Sequence, residues 1–278
     1  MSAKHLHNSL PDRITPPGSL VASPLTPPPT DSKPTKLVRK ILDILRQCKD
    51  GRYTSESPWR TYRIQRKEYD DLIGLVKKER SLWAFIEDKF RYSKCNAWLV
   101  CFNFWRFRYD YDSLTEVLTL RMPSYAHELF LARVVEEIQN KLREFTTTDS
   151  RSKAFARNIK HNGSPKLVLQ SENNNDNQAI IKREPDATFH YRGAYWPGVI
   201  IEVSYSQKTK ALPHLADDYI LETNGNVHAV IGLDINYQTG KGSISMWRPD
   251  LVENRQGRFK LKVTQTLHNQ VRRSLIEY

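Results

Sequence analysis

EPDATFHYRGAYWPGVIIEVSYSQKTK, residues 184 to 210, holds two apolar runs that are each broken by a carboxylate. In the second run Val199, Ile200 and Ile201 follow one another without a polar residue, as expected of a central strand covered on both faces. Glu202 then interrupts it. An ionised carboxylate in such a place needs protonation, a cation or strong hydrogen bonding, because its desolvation is otherwise uncompensated. Asp186, after Pro185, occupies the corresponding point of the preceding strand, read as Ala179–His190. If the two strands are neighbours, the carboxylates converge. Two like charges in a partly dry site are most simply reconciled by Mg²⁺ or Mn²⁺, which prefer oxygen ligands.

Outward from this stretch, Gly198–Ser206 reads as the Glu202 strand, Leu212–Glu222 as a helix, and Val227–Tyr237 and Ser243–Arg248 as strands. On the other side, Lys166–Gln170 (KLVLQ) reads as a short strand. Tyr125–Phe145 reads as a long helix with an apolar stripe through Leu129, Val134, Val135, Ile138 and Leu142. Pro123 and Ser124 supply its turn and cap, and Glu116–Met122 reads as a strand before it. The alternation predicts an α/β fold, a sandwich with a mixed sheet.

The residues before Asp112 read differently. Lys36–Cys48 places Leu37, Ile41, Ile44 and Leu45 on one helical face, and Glu68–Lys78 and Ser81–Phe90, with Ser81 as N-cap, read as two further helices. Residues 93 to 107, dense in aromatics and cysteines, fit no periodicity; they read as an insertion between KFRY and DYDS, with a buried strand as the competing reading. Residues 1 to 34 are rich in proline, serine and threonine, a composition expected to stay disordered. The expected division is a Pro-rich tail (1–34), a basic helical N-terminal region with an aromatic insert (35–112), and an α/β domain (113–278).

The net charge of +12 is unevenly spread. Residues 33 to 108 carry 19 Lys and Arg against 9 Asp and Glu, and residues 241 to 278 carry 8 against 3, while residues 109 to 240 carry 14 against 17. Basic flanks around an acidic centre suit a protein that grips a phosphate backbone and gathers cations at its middle. The three cysteines, Cys48, Cys95 and Cys101, give neither a disulfide framework nor a zinc ligand set. No apolar run reaches bilayer length and Met1–Leu20 lacks a signal peptide's apolar stretch, so a cytoplasmic or nuclear protein with no membrane partner is expected.

Pro185-Asp186, fifteen intervening residues and Glu202-Val203-Ser204 resemble the PD-(D/E)xK signature of restriction-endonuclease-like nucleases. LRMPS with His127-Glu128, PDATF and EVSYSQ make the chain similar to a group of fungal proteins and, more distantly, to a bacterial restriction-endonuclease family with an EVxS motif. The likeness spans roughly residues 60 to 250, without the aromatic insert.

This resemblance implies a restriction-endonuclease-like sandwich with an αβββαβ core and a helical N-terminal extension. It also implies metal-dependent hydrolysis of phosphodiester bonds, with nucleic acid, DNA by analogy, as partner. Asp186, Glu202, the Val203 carbonyl and Glu128 would hold Mg²⁺ or Mn²⁺. The departure is Ser204, which stands where the family has a lysine that positions the attacking water. Gln207 and Lys208 are the favoured replacements, ahead of Lys210 and the more distant Lys182.

Two other outcomes stand beside this one. A degenerate site would leave a module that binds nucleic acid or a protein without hydrolysis. Alternatively, Asp186 ends a turn and Glu202 pairs with Arg183 or Arg192 as a structural ion pair. Glu128 also suits ordinary first-turn helix charge, His127 and His190 read as surface or cap residues, and Asp217 and Asp218 as a solvated helix face.

Overall fold

Thr35 starts the first helix: its hydroxyl accepts the Val38 N–H, so α1 (Lys36–Lys49) begins with a satisfied donor and turns Val38, Ile41, Leu42, Leu45 and Cys48 inward. The computed structural model describes residues 33–53, 59–87, 107–148, 150–171, 179–205, 211–236, 241–254 and 256–272. Pro34–Tyr278 forms one unit, to which everything below belongs. The expected tail and most of the aromatic insert, with Cys95 and Cys101, lie outside the described residues.

Helices α2 (Arg66–Lys78) and α3 (Arg80–Glu87) follow α1 as expected, although α3 starts at Arg80 and so places Ser81 inside it. They cover a five-stranded antiparallel sheet of order β1-β3-β2-β6-β5, built from β1 (Trp59–Arg63), β2 (Arg108–Asp112), β3 (Val117–Arg121), β5 (Leu167–Ser171) and β6 (Ala179–Arg183). Two of these strands, β1 and β2, lie before residue 113, so the N-terminal region is not helical throughout. Their alternation was hidden by charge: in Arg108–Asp112, four of five residues are buried although three are charged.

The expected strand Ala179–His190 is two strands. Pro185 has no N–H to give to a ladder, and Glu184 uses its own N–H and carboxylate to bond Asp110 and Tyr109. The chain therefore leaves the first sheet at Arg183 and enters the second at β7 (Ala187–Tyr191).

That second sheet has the order β11-β10-β9-β8-β7-β4. Its members are β4 (Ile159–His161), β7, β8 (Val199–Tyr205), β9 (Ala229–Asn236), β10 (Lys241–Glu253) and β11 (Phe259–Arg272). β4 and β8 pair antiparallel with β7, whereas β8 runs parallel to β9 through the crossover helix α6 (Leu212–Leu221). Helix α4 (Tyr125–Thr148) packs Leu131 and Val135 on one face against Phe189, Ile201 and Val203. On the other face α6 packs Ala216 and Ile220 against Ile200 and Val230, and also reaches Leu169 and Ile181 of the first sheet. The stretch after α4 contains α5 (Ser150–Asn158) as well as β4. Among the described residues no helix is long and apolar enough to cross a membrane.

Candidate functional site

The ladder between β7 and β8 ends at Ala187 opposite Ile201, and continuing its register by one step sets Asp186 opposite Glu202. Strand alternation sends Ile201 and Val203 to the α4 face, so Glu202 goes to the α6 face. There Tyr219 of α6 donates its hydroxyl to Glu202 Oε1 at 2.6 Å. The two carboxylates converge as expected, but what they converge on is an arginine. Arg121 Nη1 lies 3.7 Å from Asp186 Oδ1 and 3.4 Å from Glu202 Oε2.

Arg121 comes from β3 of the other sheet and is 1% exposed. It also meets Asp110 and donates to the Glu184 carbonyl. A second buried arginine, Arg108 of β2, donates to Asp186 Oδ1 at 2.7 Å and to Glu128 at 2.9 Å. The other Asp186 oxygen accepts the Val203 backbone N–H at 2.7 Å and faces His127 Nε2 at 3.3 Å. Ser124 caps α4 by accepting the His127 N–H, which fixes the turn carrying His127 and Glu128.

These contacts set the charges. Burial alone would raise the Asp186 carboxyl, but Arg108, His127 and Arg121 hold it well below the usual carboxylate range. Burial and the adjacent Asp186 charge push Glu202 up to about 8, against the opposing pull of Arg121 and the Tyr219 hydroxyl. For His127 burial opposes the charge, yet hydrogen bonds to Asp186 and Glu128 raise it to about 9. Asp186 is thus held in its ionised form, while burial and the Asp186 charge displace Glu202 towards protonation and the Asp186 and Glu128 carboxylates displace His127 towards its charged form.

Of the expected metal ligands, Asp186, Glu202 and Glu128 gather within one network, and Val203 joins it through its N–H. They do not fit a divalent ion in this arrangement. Each oxygen of Asp186 and Glu202 already faces a hydrogen-bond donor, and an ion bridging the pair would stand against the like charge of Arg121. Among the described residues no group of three or more His, Cys, Asp or Glu is placed to hold a metal.

Comparison with known protein families, with curated proteins and with solved structures finds no match for this chain. The site is therefore read from its own residues. Ser204, standing where a lysine was expected, is buried and donates to Asp234 at 3.1 Å. Gln207, Lys208 and Lys210 lie outside the described residues. Lys182 belongs to β6 and bonds Tyr69, away from Asp186. Arg183 pairs with Asp218 at 2.6 Å, so Arg183 is not the partner of Glu202 and Asp218 is not on a solvated face. His190 sits on β7, where burial lowers its pKa.

The sequence reading missed Arg108, Arg121 and Tyr219, and His127, expected to be a surface or cap residue, instead faces Asp186. A signal for Arg121 was present in VLTLRM: a charge at the end of an alternating strand is as anomalous as Glu202 in its own run. Tyr219 gave none, because a tyrosine on an apolar helix face is ordinary core.

Proposed function

We propose that this chain carries a divergent restriction-endonuclease-like fold and binds nucleic acid without metal-dependent hydrolysis. The fold reading is supported within the six-stranded sheet: with α5 and the excursion of β5 and β6 into the other sheet set aside, α4, β4, β7, β8, α6 and β9 follow one another as a helix, three antiparallel strands, a crossover helix and a parallel strand, similar to an αβββαβ core. One observation carries the functional reading: Arg108 and Arg121 neutralise the carboxylates that a hydrolytic site would offer to a cation. Ser204, bonded to Asp234, supplies no replacement for the water-positioning lysine. The surplus of 19 Lys and Arg over 9 Asp and Glu in residues 33 to 108 supports phosphate-backbone contacts that need no metal.

The test is incubation of the purified protein with plasmid and labelled oligonucleotides in Mg²⁺ or Mn²⁺, beside Asp186→Ala and Glu202→Gln. The expected result is intact DNA in every lane, together with binding by the wild type that weakens steeply with salt and is unchanged by a chelator. Cleavage by the wild type that requires Mn²⁺ and is lost in both variants would overturn the reading in favour of a metal-dependent nuclease.

A further inference from the structure

At the far end of β7 from Asp186 lies a surface with different chemistry. Phe155 of α5 is 60% exposed and stacks on Tyr191, 43% exposed, with ring centroids 5.8 Å apart and planes 28° from parallel. Tyr195, in the turn leading to β8, is 84% exposed and meets Trp196 edge-on at 4.9 Å. Large apolar rings left in water forgo the burial that usually holds such side chains in a core.

The backbone around them is tightly held. Arg192 N–H donates to the Asn158 carbonyl at 2.8 Å, tying the turn to the end of α5, and Ala194 N–H closes the turn on the Tyr191 carbonyl. Gly193 takes a φ of +86°, a value open to glycine without strain. Asn158 also donates to the Tyr191 hydroxyl at 3.4 Å. Phe155 and Tyr191 are thus held in place before any partner arrives.

The two segments that carry them hold charge of one sign. Residues 150 to 171 contain five Lys and Arg and no Asp or Glu, and residues 187 to 201 contain one Arg and no Asp or Glu. Arg157, Lys160 and Arg192 are exposed. Strand pairing brings the segments together, with Ile159 opposite Tyr191 and Lys160 opposite His190. Four steps of extended chain separate Ala187 from Tyr191, roughly 13 Å, so this surface is distinct from the carboxylate cluster.

We propose that the surface of α5, β4 and the β7–β8 turn binds single-stranded nucleic acid, with Phe155, Tyr191 and Tyr195 stacking on bases and Arg157, Lys160 and Arg192 meeting phosphates. Exposed ring faces are covered by bases only when those bases are unstacked, which a duplex interior does not offer. The absence of acidic residues from both segments favours a polyanion over an acidic-and-basic protein surface. The inference rests on the nucleic-acid-binding reading above and specifies where and in what form the partner is held.

The experiment is fluorescence anisotropy of the full chain with a labelled oligothymidine and with a duplex of equal length. It compares wild type, Phe155→Ala/Tyr191→Ala, Tyr195→Ala, and a control, Lys36→Glu/Arg39→Glu/Lys40→Glu. The control alters a basic groove of about 660 Å³ between α1 and β1. The wild type should prefer the single strand, and each aromatic variant should weaken that complex about tenfold while thermal melting and duplex binding stay nearly unchanged. If the aromatic variants bind the single strand like the wild type, or the duplex binds as well as the single strand, the inference is wrong and the broader binding reading survives. Loss of binding in the groove variant alone has the same meaning. If the wild type binds neither probe, both fall.

Discussion

Arg108 Nη1 lies 2.7 Å from Asp186 Oδ1, with both side chains only 2% exposed. Arg108 belongs to the five-stranded sheet and Asp186 to the entrance of the six-stranded one, so this ion pair joins the two layers. Burial removes most solvent screening, which makes each charge dependent on the other.

Removing one member of such a pair is expected to be expensive. Arg108→Met should destabilise the fold by roughly 3–5 kcal/mol in urea unfolding, because Asp186 is then left buried with less neutralising charge. Adding Asp186→Asn to that variant should recover part of the loss. Purely additive effects would show that the two residues are not coupled.

Glu202 and His127 give stability a direction in pH. The folded pKa of Glu202, about 8, exceeds its ordinary 4.5, and that of His127, about 9, exceeds 6.5. Both groups hold more protons when folded, so their contribution is complete below the unfolded pKa and is lost as pH rises through the folded one. Unfolding free energy should fall by on the order of a few kcal/mol between about pH 5 and 9. Glu202→Gln should flatten the part between about 4.5 and 8; an unaltered profile would show that another group titrates. Asp186 acts in the opposite sense, its contribution disappearing only in strong acid.

Tyr219→Phe removes the hydroxyl that donates to Glu202 Oε1. The cost should be about 1–2 kcal/mol. Because this hydrogen bond pulls the Glu202 pKa down, its loss should also move the pH profile towards higher pH. A stability loss without that movement would mean that Tyr219 acts only through packing.

Arg121→Met leaves Asp110, Asp186 and Glu202 without their shared cation. The variant should melt well below the wild type, and millimolar Mn²⁺ should raise its melting temperature while leaving that of the wild type unchanged. Equal response of the two proteins to Mn²⁺ would contradict the view that this guanidinium takes the place of an ion.

Gly232 is the register partner of Glu202 on β9, and a Cβ there would lie 2.8 Å from Leu212 and 2.9 Å from Trp247. Gly232→Ala should cost roughly 1–3 kcal/mol through overpacking beneath α6. Chemical denaturation measures it directly.

Regular alternation made much of the architecture readable. The α4 stripe from Val134 to Leu142, the Val199–Ile201 run, α6 and β9 all follow period 3.6 or period 2 closely, and the convergence of Asp186 and Glu202 followed from them; Leu129, expected in the stripe, is 40% exposed, and Leu131 faces the core instead. What was hidden has physical causes. β2 buries Arg108 and Asp110, so its polar letters imitate a surface segment. At Glu184 side chains replace ladder bonds, so one apparent strand is two. β11 shows the opposite case: FKLKVTQTL alternates openly between half-buried and exposed residues but follows the last stretch taken as core. The partners of the carboxylates could not be inferred, because Arg108 and Asp186 are 78 positions apart and nothing local to either one names the other.

The guanidinium groups of the central cluster come from strands that precede Tyr125, whereas two of the carboxylates they meet, Asp186 and Glu202, come after Arg183 at the other sheet. Cutting the chain anywhere between for separate expression would strand uncompensated charge inside each piece. The basic N-terminal strands are therefore part of the molecule's interior rather than an appended binding arm.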